Sequence, residues 1–232
     1  ENYGFNLGYA FNDDQKLTYK YTHAIYDWWY KDPISYTGEW SGSVGRKKYK
    51  AKDFMGTDGW RTYNMHSLTY NDQKNKVHAH FGMTDYTKDG YTSAGTAVNP
   101  KNDFNGAGTK SSYPSKSWDF DINKRWNLGD HTVLAGLSYG KDRFDLTASN
   151  VNDWKSWNSK GTVTQTAGGK DKYWALYAQD KWKLTEKWTA YLGGRYDHYT
   201  KYDGYDSKNM AANINQSKSY SQFSPKLSLD YA

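Results

Sequence analysis

Residues 188–197 read WTAYLGGRYD. Trp188, Ala190, Leu192 and Tyr196 fall in one phase, and Thr189, Tyr191, Gly193, Arg195 and Asp197 fall in the other. Successive side chains of a strand point to opposite faces, so this stretch has one apolar and one polar face. The same period of two recurs along the chain. Tyr3, Phe5, Leu7, Tyr9 and Phe11 oppose Gly4, Asn6, Gly8 and Ala10. Val77, Ala79, Phe81 and Met83 oppose His78, His80, Gly82 and Thr84. Trp118, Phe120, Ile122 and Trp126 oppose Asp119, Asp121, Asn123 and Arg125. Val133, Ala135, Leu137 and Tyr139 oppose Thr132, Gly136 and Ser138, and Phe223, Pro225, Leu227, Leu229 and Tyr231 oppose Ser224, Lys226, Ser228 and Asp230. The polar set holds Asp, Arg, Lys and His, which rarely bury unpaired, so it is too polar for a sandwich core. Four places break the pattern. Lys124 lies on the apolar face, Asp180 shares a phase with Leu176 and Trp182, His66 shares one with Leu68 and Tyr70, and the second strand blurs beyond His23.

The joins between these segments alternate as well. Nine strands are predicted near 2–11, 16–30, 59–70, 76–86, 116–126, 131–147, 171–184, 188–201 and 221–231. The joins 12–15, 71–75, 127–130 and 185–187 are short and carry Asn, Asp and Gly turn chemistry. The others, 31–58, 87–115, 148–170 and 202–220, are long and polar. Short and long connections on opposite ends describe an up-and-down antiparallel sheet, and a transmembrane β-barrel has that layout. Four long loops on one side would be strange in a compact soluble domain. Aromatics make up 18% of the chain, with 11 Trp and 23 Tyr, while mean hydropathy is −1.06. A disordered chain would be polar without those rings. Tyr70, Trp126, Trp182, Trp188 and Tyr231 cluster beside the short turns, where an aromatic girdle would sit. Phe81, Val133, Leu192 and Leu227 are expected to face lipid between the girdles.

No run of about 18 apolar residues exists, so no transmembrane helix is expected. Cysteine is absent, which excludes disulfides and thiolate metal sites. No signal peptide is recognised at Glu1, so either the mature chain starts there or this is an internal piece of a longer one. A complete bacterial barrel has an even strand number with both ends on the periplasmic side. Nine strands, starting at the external end, predict a piece of a larger barrel, with a missed strand as the alternative. The whole of 1–232 is read as part of one barrel domain.

The run YWALYAQDKWKLTEKWTAYLGGRYDHY at 173–199, followed by FSPKLSLDYA at 223–232, resembles the barrel of TonB-dependent outer-membrane receptors. The matching positions are Tyr177 to Leu184, Gly193 to Asp197 and Phe223 to Leu227. NYGFNLGYAFNDDQKLTYKY, at 2–21, also looks like a receptor hairpin. The resemblance is specific over 173–232 and architectural elsewhere. It implies a 22-stranded barrel with an N-terminal plug, integral to the outer membrane of a Gram-negative-type bacterium. It further implies uptake of a ferric siderophore, cobalamin or haem, energised by a periplasmic coupling protein acting on the plug. Neither a plug nor a coupling box is present in these residues. Expected partners are outer-membrane lipid, lipopolysaccharide and a small nutrient chelate, with no nucleic acid.

Ligand contacts are expected in the external loops. Tyr36, Trp40, Arg46, Lys47, Lys48 and Lys50 form a basic, aromatic stretch suited to an anionic iron chelate, or alternatively a loop facing lipopolysaccharide or water. Tyr91, Tyr113, Trp154 and Trp157 are candidates of the same kind. Asp119, Asp121, Arg125, Arg195 and Asp197 are expected to form charge ladders in the lumen. His78 and His80 share a face without a third ligand, so they read as lumen lining, and DGYDSKN at 203–209 reads as a polar turn. No metal site, resident cofactor or catalytic set is expected, and the chain is not read as an enzyme. A passive porin or adhesin-like barrel, and a soluble aromatic-rich carbohydrate-binding β protein, are the alternatives.

Overall fold

The computed structural model describes residues 1–30, 41–44, 47–50, 57–95, 106–209 and 215–231. The strands are β1 (Asn2–Ala10), β2 (Gln15–Tyr30), β3 (Ser41–Val44), β4 (Lys47–Lys50), β5 (Thr57–Asp72), β6 (Val77–Ala94), β7 (Gly108–Ser112), β8 (Ser115–Leu128), β9 (His131–Val151), β10 (Val163–Lys183), β11 (Trp188–Asp206) and β12 (Lys218–Tyr231). One antiparallel sheet runs β1-β2-β5-β6-(β7, β8)-β9-β10-β11-β12, and β3 and β4 form a separate hairpin. β7 and β8 both lie between β6 and β9 and act as one stave interrupted at Tyr113 and Pro114. Proline has no amide to donate, so it sits at the break. The Pro114 carbonyl still accepts from the Asp145 amide, and the Tyr113 amide donates to the Asp89 carbonyl. The sheet therefore has nine staves, as the alternation predicted.

The short turns are locked by their own side chains. Asn12 Oδ1 accepts from the amides of Asp14 and Gln15, and Thr185 Oγ1 accepts from those of Lys187 and Trp188. Gly129, at φ +62°, allows the two-residue turn between β8 and β9. The strands run further from these turns than the sequence indicated. β6 continues to Ala94, β9 and β10 span 21 residues each, and β11 continues to Asp206. A membrane crossing needs only about 9–11 residues. The stretches 87–94, 108–112, 148–151, 163–170 and 202–206 are therefore strand, not loop. Side-chain alternation fades there while backbone pairing continues.

Register aligns the two phases across the whole sheet. Leu68, Phe81, Phe120, Tyr139 and Trp174 form one continuous row of partners on the apolar face. Thr69, His80, Asp121, Ser138, Ala175 and Asp197 form a row on the polar face. The irregular residues on the apolar face are paired there. His131 Nδ1 lies 2.6 Å from Asp180 Oδ2, His66 Nδ1 lies 2.7 Å from the Tyr19 hydroxyl, and Lys124 Nζ sits 5.6 Å over the Trp126 ring. His23 and the Tyr21 hydroxyl both bond Asn64 Oδ1. Among the described residues the buried apolar side chains are Ala24, Ala94, Val151, Trp154, Ala175 and Ala190. A sheet with so little interior leaves its apolar face uncovered, and Phe5, Leu176, Leu192, Phe223 and Leu227 are exposed there.

Candidate functional site

Two clusters occupy the polar face. The first lies in its lower half, toward the short turns. Asp121 accepts from the hydroxyls of Ser138 (2.8 Å) and Tyr177 (3.0 Å) and from the Asn123 amide group (3.0 Å). Arg195 Nε donates to Asp197 Oδ1 at 2.8 Å, and its guanidinium lies 5.6 Å from the Tyr177 ring centre. Asp119 faces His80 at 3.9 Å. Gly136 gives Tyr177 its room, since a Cβ there would meet the Tyr177 hydroxyl at 2.5 Å and the Ile122 carbonyl oxygen at 2.6 Å. Asp119, Asp121, Arg125, Arg195 and Asp197 thus share one face, but only Arg195 and Asp197 pair as acid and base. Arg125 instead lines a cavity of about 760 Å³ at the turn end, with Lys76, His78, Gln179, Lys181 and Tyr191.

The second cluster lies toward the far end of β2, β5, β6 and β7. Arg61 meets Asp89 through both Nε (3.1 Å) and Nη2 (3.2 Å), and its guanidinium lies 5.5 Å from the Tyr86 ring centre. Tyr63 packs on Tyr86 with ring centres 5.3 Å apart, and Tyr91 on Tyr113 at 6.0 Å. A β-bulge at Thr87 builds this arrangement. Tyr86 pairs with Tyr63 but Lys88 pairs with Thr62, so one residue of β6 is extra and the phase inverts beyond it. That inversion brings Asp89 onto the face of Arg61. Burial, followed by Tyr91 and Asp89, pushes the Tyr113 hydroxyl up to about 12, with Arg61 acting in the opposite direction. Tyr113 is therefore a neutral donor at ordinary pH. The result is a guanidinium fixed over one phenol ring, with two tyrosine pairs beside it, a surface suited to a flat or anionic ligand.

The expected external contacts divide. Tyr91 and Tyr113 meet in the second cluster. Trp154 and Trp157 fold onto the opposite face, where Trp154 is fully buried and a Cβ on Gly108 would meet its Cβ at 2.6 Å. Tyr36, Trp40 and Arg46 lie outside the described residues. Lys47, Lys48 and Lys50 belong to β4, whose side chains are not described. Arg61, Tyr63, Tyr86 and Asp89 were not singled out from sequence. Following the polar phase of Tyr63 back to Arg61 would have found one of them, but Asp89 is placed by the bulge. Along the apolar face, Trp188 packs on Tyr231 with ring centres 4.8 Å apart and Trp182 stacks on His131 at 5.1 Å, both beside the short turns.

No curated protein sequence matches the chain significantly. Solved structures do. The ferripyoverdine receptor of the outer membrane of Pseudomonas aeruginosa, bound to ferripyoverdine, matches with a TM-score of 0.58 and 16% identity over 99% of this chain and 33% of its own. The copper transporter OprC matches at 0.67 and 10% identity over 99% and 33%. BauA, the ferric preacinetobactin receptor from Acinetobacter baumannii, matches at 0.57 and 10% identity over 98% and 36%. The likeness is one of fold, and the chain spans about a third of the length of these proteins. A family profile described as TonB dependent receptor-like, beta-barrel, matches residues 1–232. The chain belongs to the TonB-dependent receptor β-barrel family.

Proposed function

We propose that this chain forms part of the wall of an outer-membrane receptor that takes up a scarce nutrient of the anionic iron-chelate class. The apolar face is turned to lipid, with Phe81, Val133, Leu192 and Leu227 between girdles that include Trp126, Trp182 and Trp188. The polar face is turned to the lumen. The observation that carries the ligand reading is the Arg61 platform, with its guanidinium fixed by Asp89 over the Tyr86 ring, Tyr63 packed on Tyr86, and the Tyr91–Tyr113 pair beside it. Rings and a guanidinium suit an anionic chelate by charge and by face contact. Several solved receptors of this fold are named for ferric ligands, which supports the same class. The loop bearing Tyr36, Trp40, Arg46, Lys47, Lys48 and Lys50 would add contacts from above. A plug and a periplasmic energy-coupling protein would act with other parts of the parent.

Titration calorimetry of the full parent receptor against a panel of ferric chelates tests this. Arg61→Gln, with Asp89→Asn to avoid an orphaned carboxylate, should weaken the preferred chelate by about tenfold or more, since hydrogen bonds to charged groups contribute about 1.5–3 kcal/mol. Lys47, Lys48 and Lys50 changed together to Gln should weaken it chiefly at low salt. Unchanged affinity in the Arg61 variant, with the barrel intact, would remove the platform from the site.

A further inference from the structure

Register sorts the charges of the polar face into layers. From β8 to β12 the row nearest the short turns holds Asn127, Thr132, Lys181, Tyr191 and Ser228. The next row holds Arg125, Leu134, Gln179, Gly193 and Lys226, with Lys76 beside Arg125. Every charged side chain in these two rows is a cation. Two rows further on the sign reverses. Asp121 and Asp197 share a row, Asp119 lies in the next, and Asp142 pairs with Asp171 in the one after. Against these carboxylates β8 to β11 set Arg195, which donates to Asp197, and Lys201, which lies across from Asp171. Rows of one phase lie two residues apart. At about 3.3 Å per residue and a tilt of about 40°, the acidic belt begins about 10 Å above the basic rows. That is about one Debye length at 0.1 M salt, so each layer keeps its own field.

The basic rows line the cavity of about 760 Å³ at the turn end, a volume within the usual range of small-molecule sites. Lys76, Arg125 and Lys181 reach it from the turn before β6, from β8 and from β10. Lys181 Nζ lies 5.7 Å from the Tyr191 ring centre. No carboxylate pairs with any of these three cations among the described residues. Asp72 is the acidic residue of the lining, and its carboxylate is already engaged by Asn75 and Gln15. Gln179 accepts from Lys226 Nζ at 3.3 Å through its side-chain oxygen, which leaves its amide hydrogens to donate. Three cations and amide donors thus converge on one space with no carboxylate free to offset them.

We infer that this cavity is a second station for a small multivalent anion, of the size and charge of an anionic metal chelate, at the end of the lumen that carries the short turns. Converging cations hold such a ligand by charge, and the amides by its oxygen atoms. The Arg61 platform lies on the same face near the opposite end, so the acidic belt separates the two sites. An anion in the cavity meets repulsion toward the platform and none toward the turns. The belt is a barrier to return, and release falls to the turn side. The inference rests on the reading of the polar face as lumenal.

The test uses the full parent receptor in lipid vesicles, with single nitroxide labels on Thr132→Cys, in the cavity, and Ser117→Cys, in the acidic belt. The probes are the tris(oxalato)chromate(III) trianion and the neutral nickel ethylenediaminediacetate, whose collisions with each label are read by electron paramagnetic resonance. The ratio of anionic to neutral collisions should be about tenfold higher at position 132 than at 117 in low salt, the lower end of what clefts of one sign achieve. It should saturate with chromate concentration and fall as salt rises. Lys76→Gln with Arg125→Gln and Lys181→Gln should bring the two ratios together. All three side chains are exposed, so the packed wall is untouched. Affinity for chelate at the Arg61 platform should not change. Equal ratios at the two labels, a ratio that never saturates, or a ratio retained in the triple variant would overturn the station. Exclusion of both probes from position 132 would also overturn it, by showing the cavity filled with protein in the parent. A label on Leu192→Cys reports the orientation independently, through its collisions with oxygen dissolved in lipid. If that label sees lipid and the ratios are equal, the station alone fails; if it does not, the lumenal reading fails with it.

Discussion

At the scale of residues, Asp72 is tightly held where two hairpins meet. Its carboxylate accepts from the Asn75 amide and side chain, each at 2.8 Å, and from the Gln15 side chain of the neighbouring hairpin at 2.8 Å. Those donors, the Asn75 amide foremost, hold its carboxyl at about 2, against about 3.9 in an unfolded chain. The folded value is the lower one, so the clasp contributes in full above roughly pH 4 and is lost as pH falls toward about 2. Amide exchange in detergent should show protection of the Asn75 amide declining across that window. Asp72→Asn should lack the step, because its side chain still accepts but does not titrate in this range. A wild-type profile flat from pH 4 to 2 would count against the clasp. This contact was not legible beforehand. The sequence marks Asn71 to Asn75 as a turn, but nothing local says that Gln15 lies beside it.

Elements were far more legible, for a physical reason. Wherever one face meets an apolar phase and the other a polar one, side-chain chemistry must alternate, and most staves show it, with β2 blurring beyond His23 and β5 and β10 interrupted at His66 and Asp180. The same reason explains what was missed. Beyond the last rings the extensions of β6, β9, β10 and β11 are mainly Gly, Ser, Thr, Asp and Lys in both phases, so they carry no pattern to read. The bulge at Thr87 is a single extra residue within Thr, Lys, Asp and Gly, and the β3–β4 hairpin lies inside what reads as one polar join. The lower cluster was half legible. Asp121, Arg195 and Asp197 were assigned to one face from sequence and share one in the sheet, but the meeting of Asp121 with Ser138 and Tyr177 follows from register, which one strand's sequence does not encode. Face assignment has a direct consequence at Leu192, exposed on the apolar face and paired with Asp180 and Leu227. Leu192→Arg should cost about 2–4 kcal/mol of stability in lipid, the usual cost of Arg at mid-membrane on the lipid side. Arg at Thr189, on the polar face, should cost much less. Equilibrium unfolding from lipid vesicles separates them, and equal costs would reverse the assignment of faces.

On the scale of the whole molecule, β1 and β12 are the two edges of the described sheet, each paired on one side only. Open edges with uncovered apolar side chains such as Tyr3, Phe5, Phe223 and Leu227 invite further pairing. Residues 1–232 expressed alone and refolded in detergent should therefore associate, and adding the remaining strands of the parent should suppress it. Sedimentation in density-matched detergent checks this, with a monodisperse monomer as the contrary result. The order of the sheet also bears on how it assembles. Each stave hydrogen-bonds to the staves before and after it in the chain. Every partner is thus brought in by closing one modest loop, so low contact order favours growth hairpin by hairpin. Joining the two ends of a complete barrel is a different event, since it brings together segments remote in sequence. Contact order therefore predicts the slow step of assembly at that seam, with the wall described here formed before it closes.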